Sequence, residues 1–291
     1  MIENHVRSFL ASPNLPFKIV KSEPFGQYEK VIDIANNQYL CQIVNLEEYA
    51  TYLDISRYSK DLKKSVYDYR VDDKVILFFE FEALTEAKVK VFRILQILKD
   101  IHQNSSFEIT LKKEHLYSLN NLYKVLDNKF AYLEMRIREI ETSPVKNDIS
   151  WIILSKYNII LDAKIYLYDL QQDIFKHIDK NEIVKYGVVF QYVNANLYNR
   201  QKLIPSLKVY YGPISMVYSR CFLSLEDLDI IKDIEKLDPF NQKYFCFMTL
   251  YIYILNLNLE VTLNNFSISN YLLITKKIKS FIVAYKAFVE K

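Results

Sequence analysis

The chain has 291 residues, of which 51% are hydrophobic and 25% charged, with a formal net charge of +3. That length suits one large domain or two lobes on one chain, and the apolar share allows a sizeable core. A nearly balanced charge gives no case from composition for nucleic acid or an acidic partner.

Residues 2–11 alternate apolar and polar at helical spacing, and the pattern stops at Ser12-Pro13. Residues 1–5 lack a basic start followed by an apolar run, so no signal peptide is expected. After Pro16 the texture changes. Residues 17–22, 28–34 and 39–44 are short segments rich in β-branched and aromatic residues. Pro24-Phe25-Gly26 and Asn36-Asn37 punctuate them, which predicts a three-strand meander. Asn45 is placed to cap a helix over 46–64, with Glu47 and Glu48 in its first turn. Residues 66–69 and 74–81 predict two more strands joined at Asp72-Asp73. The order β-β-β-α-β-β predicts a small antiparallel α+β lobe over residues 1–82.

Beyond residue 83 the pattern is helical, and residues 83–291 are expected to form a second, mainly helical lobe. Thr85 is a candidate N-cap for a helix to 101, with Val91, Ile94, Leu95, Leu98 and Ile101 on one face. A helix over 114–141 carries Leu119, Leu122, Leu126, Phe130, Leu133, Ile137 and Ile140. Asp148 is a candidate cap for a helix over 149–178, with Leu154, Leu161, Ile165, Tyr168 and Ile174 facing inward. Trp151 is expected to pack between helices. A β-like island follows at 187–190, 196–198 and 202–209, with a turn at Asn199-Arg200-Gln201. Helices resume near 225, 240 and 267. The most apolar window, 244–257, is too short to span a bilayer and reads as a buried helix. No transmembrane segment is expected, and the expected location is cytoplasmic.

Three glycines, Gly26, Gly187 and Gly212, are the whole supply. Phosphate cradles built from backbone need clustered glycines, and neither G-x-G-x-x-G nor a P-loop is present. Cys41, Cys221 and Cys246 are far apart and form no CxxC, which argues against a metal or disulfide framework. His102, His115 and His177 have no second histidine or carboxylate at ligand spacing. Glu80 and Glu82 alternate on a strand and read as a solvated face.

A small sheet lobe, then a helical lobe containing one late hairpin, is the order of parts in protein-kinase-like folds. The chain resembles the aminoglycoside phosphotransferase and choline kinase-like enzymes, with their spore-coat relatives. The resemblance is sharpest at residues 186–223, YGVVFQYVNANLYNRQKLIPSLKVYYGPISMVYSRCFL. Active members carry H-x-D-x-x-x-x-N-x-L, a hairpin, an L-I-D metal motif, an aromatic-Gly-Pro segment and a helix opening with Asp. In Asn196-Leu197-Tyr198 the Asn matches that of N-x-L, Leu203-Ile204 matches the start of L-I-D, and Tyr211-Gly212-Pro213 the aromatic-Gly-Pro.

The chemical positions depart from that pattern. In this register Gln191 stands where the resemblance implies the catalytic aspartate, and Val189 where it implies the histidine. Pro205, or Ser206 with a one-residue slip, takes the place of the metal-binding aspartate. Val217 takes that of the helix aspartate. On the third strand Gln42 falls where the phosphate-pairing lysine is implied, so Glu47 or Glu48, the implied helix carboxylate, lacks its partner. Phosphoryl transfer rests on positioning and on charge neutralisation by metal ions, which want hard oxygen ligands. Asn196 alone offers one neutral oxygen.

The expectation is a catalytically inactive, pseudokinase-type binding or scaffolding protein. It has no cofactor, its partner is another protein, and Gln42, Glu47, Gln191, Asn196 and Pro205 are degenerate positions around one cleft. Two rivals stand beside it. One is a divergent small-molecule phosphotransferase using ATP and Mg²⁺, which needs a shifted register and other acids such as Asp227 or Asp229. The other is an unrelated α+β structural protein.

Overall fold

The computed structural model describes residues 15, 17–26, 28–82, 87–190, 198–199, 202–204, 209–225, 229–259 and 265–289. Two compact units emerge: Met1–Phe107 with Tyr186–Glu226, and Glu108–Lys185 with Asp227–Lys291.

The first unit opens with β1 (Ile19–Phe25), β2 (Tyr28–Asp33) and β3 (Gln38–Asn45), then α1 (Leu46–Ile55), β4 (Tyr67–Val71) and β5 (Lys74–Glu80). The sheet is antiparallel throughout, in the order β1-β2-β3-β5-β4. This is the predicted meander and pair. Its turns fall where the sequence supplies residues that tolerate positive φ, Asn36 at 62° and Asp72 at 53°. Asp33 fixes the first of them by accepting from the amides of Ala35 and Asn37 at 2.9 and 2.8 Å.

Strand alternation gives the sheet two different faces. One carries Val31, Tyr39, Cys41, Ile76 and Phe78, with Phe17 stacked on Tyr39 at 4.8 Å. The other, by register, carries Phe25, Tyr28, Lys30, Leu40, Gln42, Val44, Leu77 and Phe79. Helix α1 packs on this second face, its Tyr52 ring 5.9 Å from that of Phe79.

Helix α1 begins as expected but stops nine residues early, at Ile55 instead of 64. Asn45 and Glu48 close a reciprocal capping box, Glu48 N donating to Asn45 Oδ1 at 2.7 Å and Asn45 N to Glu48 Oε2 at 3.0 Å. Replacing Asn45 by Ala is expected to cost about 1 kcal/mol in urea unfolding, and by Gly only a few tenths. Equal losses for both would refute the cap's role. The early stop has a tertiary cause. Residues 61–63 leave the helical path to pair with a distant segment: Leu203 N donates to Asp61 O, and Lys63 N to Leu203 O, both at 2.9 Å.

The remaining elements of this unit are α2 (Ala87–Ser105), β8 (Tyr198–Asn199), β9 (Lys202–Leu203), β10 (Val209–Pro213) and α5 (Ser215–Leu225), while the residues of β6 (Phe107–Thr110) and β7 (Ile183–Phe190) are divided between the two units. Strands β7 and β10 run antiparallel from Phe190↔Val209 to Tyr186↔Pro213, and β8 and β9 form a minimal hairpin. Thr85 lies outside the described residues, as do residues 1–14.

The second unit is helical: α3 (His115–Thr142), α4 (Asp148–Asp179), α6 (Asp229–Ile234), α7 (Pro239–Asn256) and α8 (Asn265–Val289). Helix α4 contacts α3, α7 and α8. Three details differ from expectation. The cap of α4 is Asn147, whose Oδ1 accepts from Ser150 N at 2.9 Å, while Asp148 sits in the first turn. The buried stripe runs through Ile153, Ile160, Ala163, Leu167, Leu170, Ile174 and Ile178, leaving Leu161 and Ile165 exposed. Trp151, off that stripe, is 59% exposed rather than packed between helices. Helix α7 is apolar on all sides and is buried accordingly, from Phe240 to Ile254. Among the described residues no helix is long and apolar enough to cross a membrane.

Candidate functional site

Gln42 sits in the middle of β3, opposite Leu77. It faces α1, between Leu40 and Val44 on its own strand. Its Oε1 is shielded from solvent and has no hydrogen-bond partner among the described residues. An acceptor buried in that way costs about 1–3 kcal/mol. The surroundings are carbon. Leu40, Leu77 and Phe79 are fully buried, and Tyr28 nearly so. The rings of Phe25 and Phe81 meet at 5.3 Å. The cations on this face are committed elsewhere: Lys21 and Lys30 both pair with Glu23, at 2.9 and 3.3 Å, and hold its carboxyl below the usual range.

The acidic residues of α1 do not face an ammonium group. Glu48 is the reciprocal partner in the helix cap. Glu47 is exposed in the first turn and forms no ion pair among the described residues.

A lysine does enter this region, one the sequence reading passed over. Lys63 is 7% exposed, and its Nζ donates to the backbone carbonyl of Glu80. Strand β4 accounts for this placement. The amide of Val66 takes the carbonyl of Phe78 at 2.7 Å, and there the pairing along that edge of β5 ends. Glu80 O is the next carbonyl on that edge, and Lys63 reaches it in place of a strand. Asp61, two residues before, is paired with Arg93 at 2.8 Å.

On β7, Val189 is fully buried and lies opposite Tyr210 of β10. The Tyr211-Gly212-Pro213 segment ends β10. A Cβ at Gly212 would lie 3.1 Å from the Tyr210 ring, and one at Gly187 would lie 3.0 Å from Ile214 Cγ2, so both glycines permit close approach. Val217 is buried in α5. Arg220 of α5 donates to the carbonyl of Phe190 and, at 3.3 Å, to the Tyr210 hydroxyl. The next residue, Gln191, lies outside the described residues, as do Asn196, Pro205, Ser206 and Asp227. Asp229 opens α6. Leu203 and Ile204, the matched half of L-I-D, are both buried.

Elsewhere the chemistry-bearing side chains are dispersed. Cys41, Cys221 and Cys246 are buried and unbridged, and burial pushes the first two thiols up to about 12. His115 Nδ1 contacts the Lys112 backbone, and His177 Nδ1 meets Glu182 at 2.5 Å. Glu82 is exposed just beyond β5. Among the described residues no three His, Cys, Asp or Glu side chains converge on a point where a metal could sit.

No protein-family model matches this chain, and no curated protein does. Solved structures do. The chain is similar to an aminoglycoside phosphotransferase from Alicyclobacillus acidocaldarius, with a TM-score of 0.64 at 11% identity, over 96% of this chain and 97% of that one. It is also similar to a choline/ethanolamine kinase family protein from Mesorhizobium loti, with a TM-score of 0.48 at 10% identity, over 97% of this chain and 95% of that one. The chain therefore has the α+β kinase-like fold, an antiparallel N-terminal sheet followed by helices.

Proposed function

We propose that this chain is a kinase-fold binding protein that does not transfer phosphate. The observation that carries the reading is Gln42, a neutral amide in an apolar sheet face, at the position that the family resemblance assigns to a phosphate-pairing lysine. A nucleoside triphosphate with Mg²⁺ is the ligand this fold implies, and the residues do not fit it. A triphosphate brings only acceptors and negative charge. In either orientation the Gln42 amide contributes no charge, and as placed its shielded oxygen would face another acceptor. Gly26 is the lone glycine between β1 and β2, so the backbone there is not built as a phosphate cradle.

The partner in this reading is another protein. Phe107, Tyr210 and Tyr211 are 44%, 41% and 55% exposed, and Phe107 and Tyr211 lie 5.6 Å apart. Exposed aromatic rings give large contact area at low entropic cost. The rival reading, a divergent small-molecule phosphotransferase, draws on the fold alone, and a fold does not fix an activity.

A thermal-shift titration with ATP and Mg²⁺ separates the two. A nucleotide at about a hundred times its Kd would add about 2.7 kcal/mol of stability, a rise of several degrees. The expected result is an unchanged midpoint. A saturable rise that requires both ATP and Mg²⁺ would sink the binding-protein reading.

A further inference from the structure

His102 stands one turn before the end of α2, in the same unit as α5 and the end of β7. It is 5% exposed, and its ring centroid lies 5.5 Å from that of Tyr218 on α5. Neither Nδ1 nor Nε2 has a hydrogen-bond partner of normal geometry among the described residues. The groups around it are neutral. From α5 comes the Tyr218 phenol. From β7 comes Val188, whose amide is taken by the Ser105 hydroxyl at 3.4 Å. No charged side chain among the described residues acts on the imidazole.

This is a costly way to fill a core. A neutral imidazole always carries one N–H, and here that donor has the Val188 backbone nearby but no acceptor at normal geometry among the described residues. An apolar ring of similar size would avoid the loss. Protonation would be worse, adding a second N–H and a charge with no counter-ion in a dry setting. We propose that His102 is an acid-sensitive latch that holds α2 against α5 when neutral and loosens that contact when protonated. Arg220 on α5 donates to the Phe190 carbonyl at the end of β7, so loosening α5 also weakens that hold on β7.

The direction follows from burial. Burial lowers the imidazole to about 4 in the folded chain, outweighing the opposite effect of the Val188 backbone. The unfolded chain takes up a proton near the ordinary 6.5. Stability from the neutral ring is therefore complete above pH 6.5 and falls between 6.5 and 4.

The test compares wild type with His102→Phe by urea unfolding at pH 8 and pH 5. The wild-type unfolding equilibrium constant should rise about 30-fold more over that interval than the variant's. The same rise in both proteins would overturn the proposal. A second readout needs no variant. The His102 ring proton, assigned through its contact with Tyr218, should not titrate above pH 5 in the native protein. Amides of α5 should lose exchange protection at pH 5, after correction for intrinsic rates, while those of α7 keep theirs. An imidazole titrating near 6.5 with α5 fully protected means there is no latch.

Discussion

Incubated with γ-labelled ATP, Mg²⁺ or Mn²⁺ and a panel of hydroxyl acceptors, the purified protein is expected to release and transfer no phosphate above background. Three losses motivate this result. In the register that the family resemblance implies, Gln42 stands in place of the cation that would meet the phosphates, Gln191 of the proton acceptor, and Pro205 of a metal ligand. A positioned general base contributes roughly 10²–10⁴-fold, and a metal or a preorganised charge several kcal/mol of transition-state stabilisation. One loss can be covered by a neighbour, but among the described residues the sheet face around Gln42 offers none. Lys21 and Lys30 are held by Glu23, and Lys63 is bound to the Glu80 carbonyl. Single restorations, Gln42→Lys or Gln191→Asp or Pro205→Asp, should therefore leave the rate at background. Turnover that disappears on mutating Asn196 would favour the divergent phosphotransferase instead.

The largest effect on stability is expected at Phe247, in the middle of α7. Its side chain is fully buried, with ring centroids of Tyr123, Tyr251 and Tyr244 at 5.2, 5.9 and 6.5 Å. Truncation to Ala removes the ring and leaves a void that three large aromatics cannot close by rotating, so the loss should be about 3–5 kcal/mol. For a chain of this size that corresponds to a fall of roughly 10 °C in the thermal midpoint. Trp151→Ala deletes a larger side chain yet should stay within about 0.5 kcal/mol, because Trp151 lies exposed on α4. Denaturant midpoints for both variants check the pair. A comparable loss at Trp151 would mean that this face is buried in solution by another surface.

The contrast between those two residues also marks where the sequence was legible. In the first unit, period-two alternation and turn residues coincide. Asn36 and Asp72 sit where positive φ is needed, so strands and turns could be placed together. The place of Gln42 on the third strand followed with them, opposite Leu77. Helix α4 is different. It is apolar on more than one side, so periodicity admits two stripes, and the one through Leu161 and Ile165 is the exposed one. The end of α1 is also hidden from local reading. Nothing at Ser56 forbids a further turn, and the helix stops because residues 61–63 pair with Leu203, some 140 positions on in the chain. Lys63 was obscured for the same reason. A Lys63-Lys64 pair reads as the solvated end of a helix, and only the early end of β4 turns the first of them inward. Strand β6 is four residues long and mostly exposed, too brief to give a period.

The two outer strands of the five-stranded sheet carry a further consequence, for solution behaviour. A sheet edge is a template for pairing with another chain, and proteins blunt it with bulges, charges and prolines. Strand β1 has an irregular register between Ile19 and Lys21, an ion-paired Lys21 and Glu23, and Pro24, which has no amide to donate. Strand β4 is five residues long, with Asp68 and Arg70 among them, and beyond its end Lys63 covers the Glu80 carbonyl. The buried lysine thus occupies an acceptor that would otherwise stand open at the end of that edge. Removing it would expose a carbonyl of the most apolar strand in the sheet, with neighbours Phe78, Phe79 and Phe81, to strand addition by a second molecule.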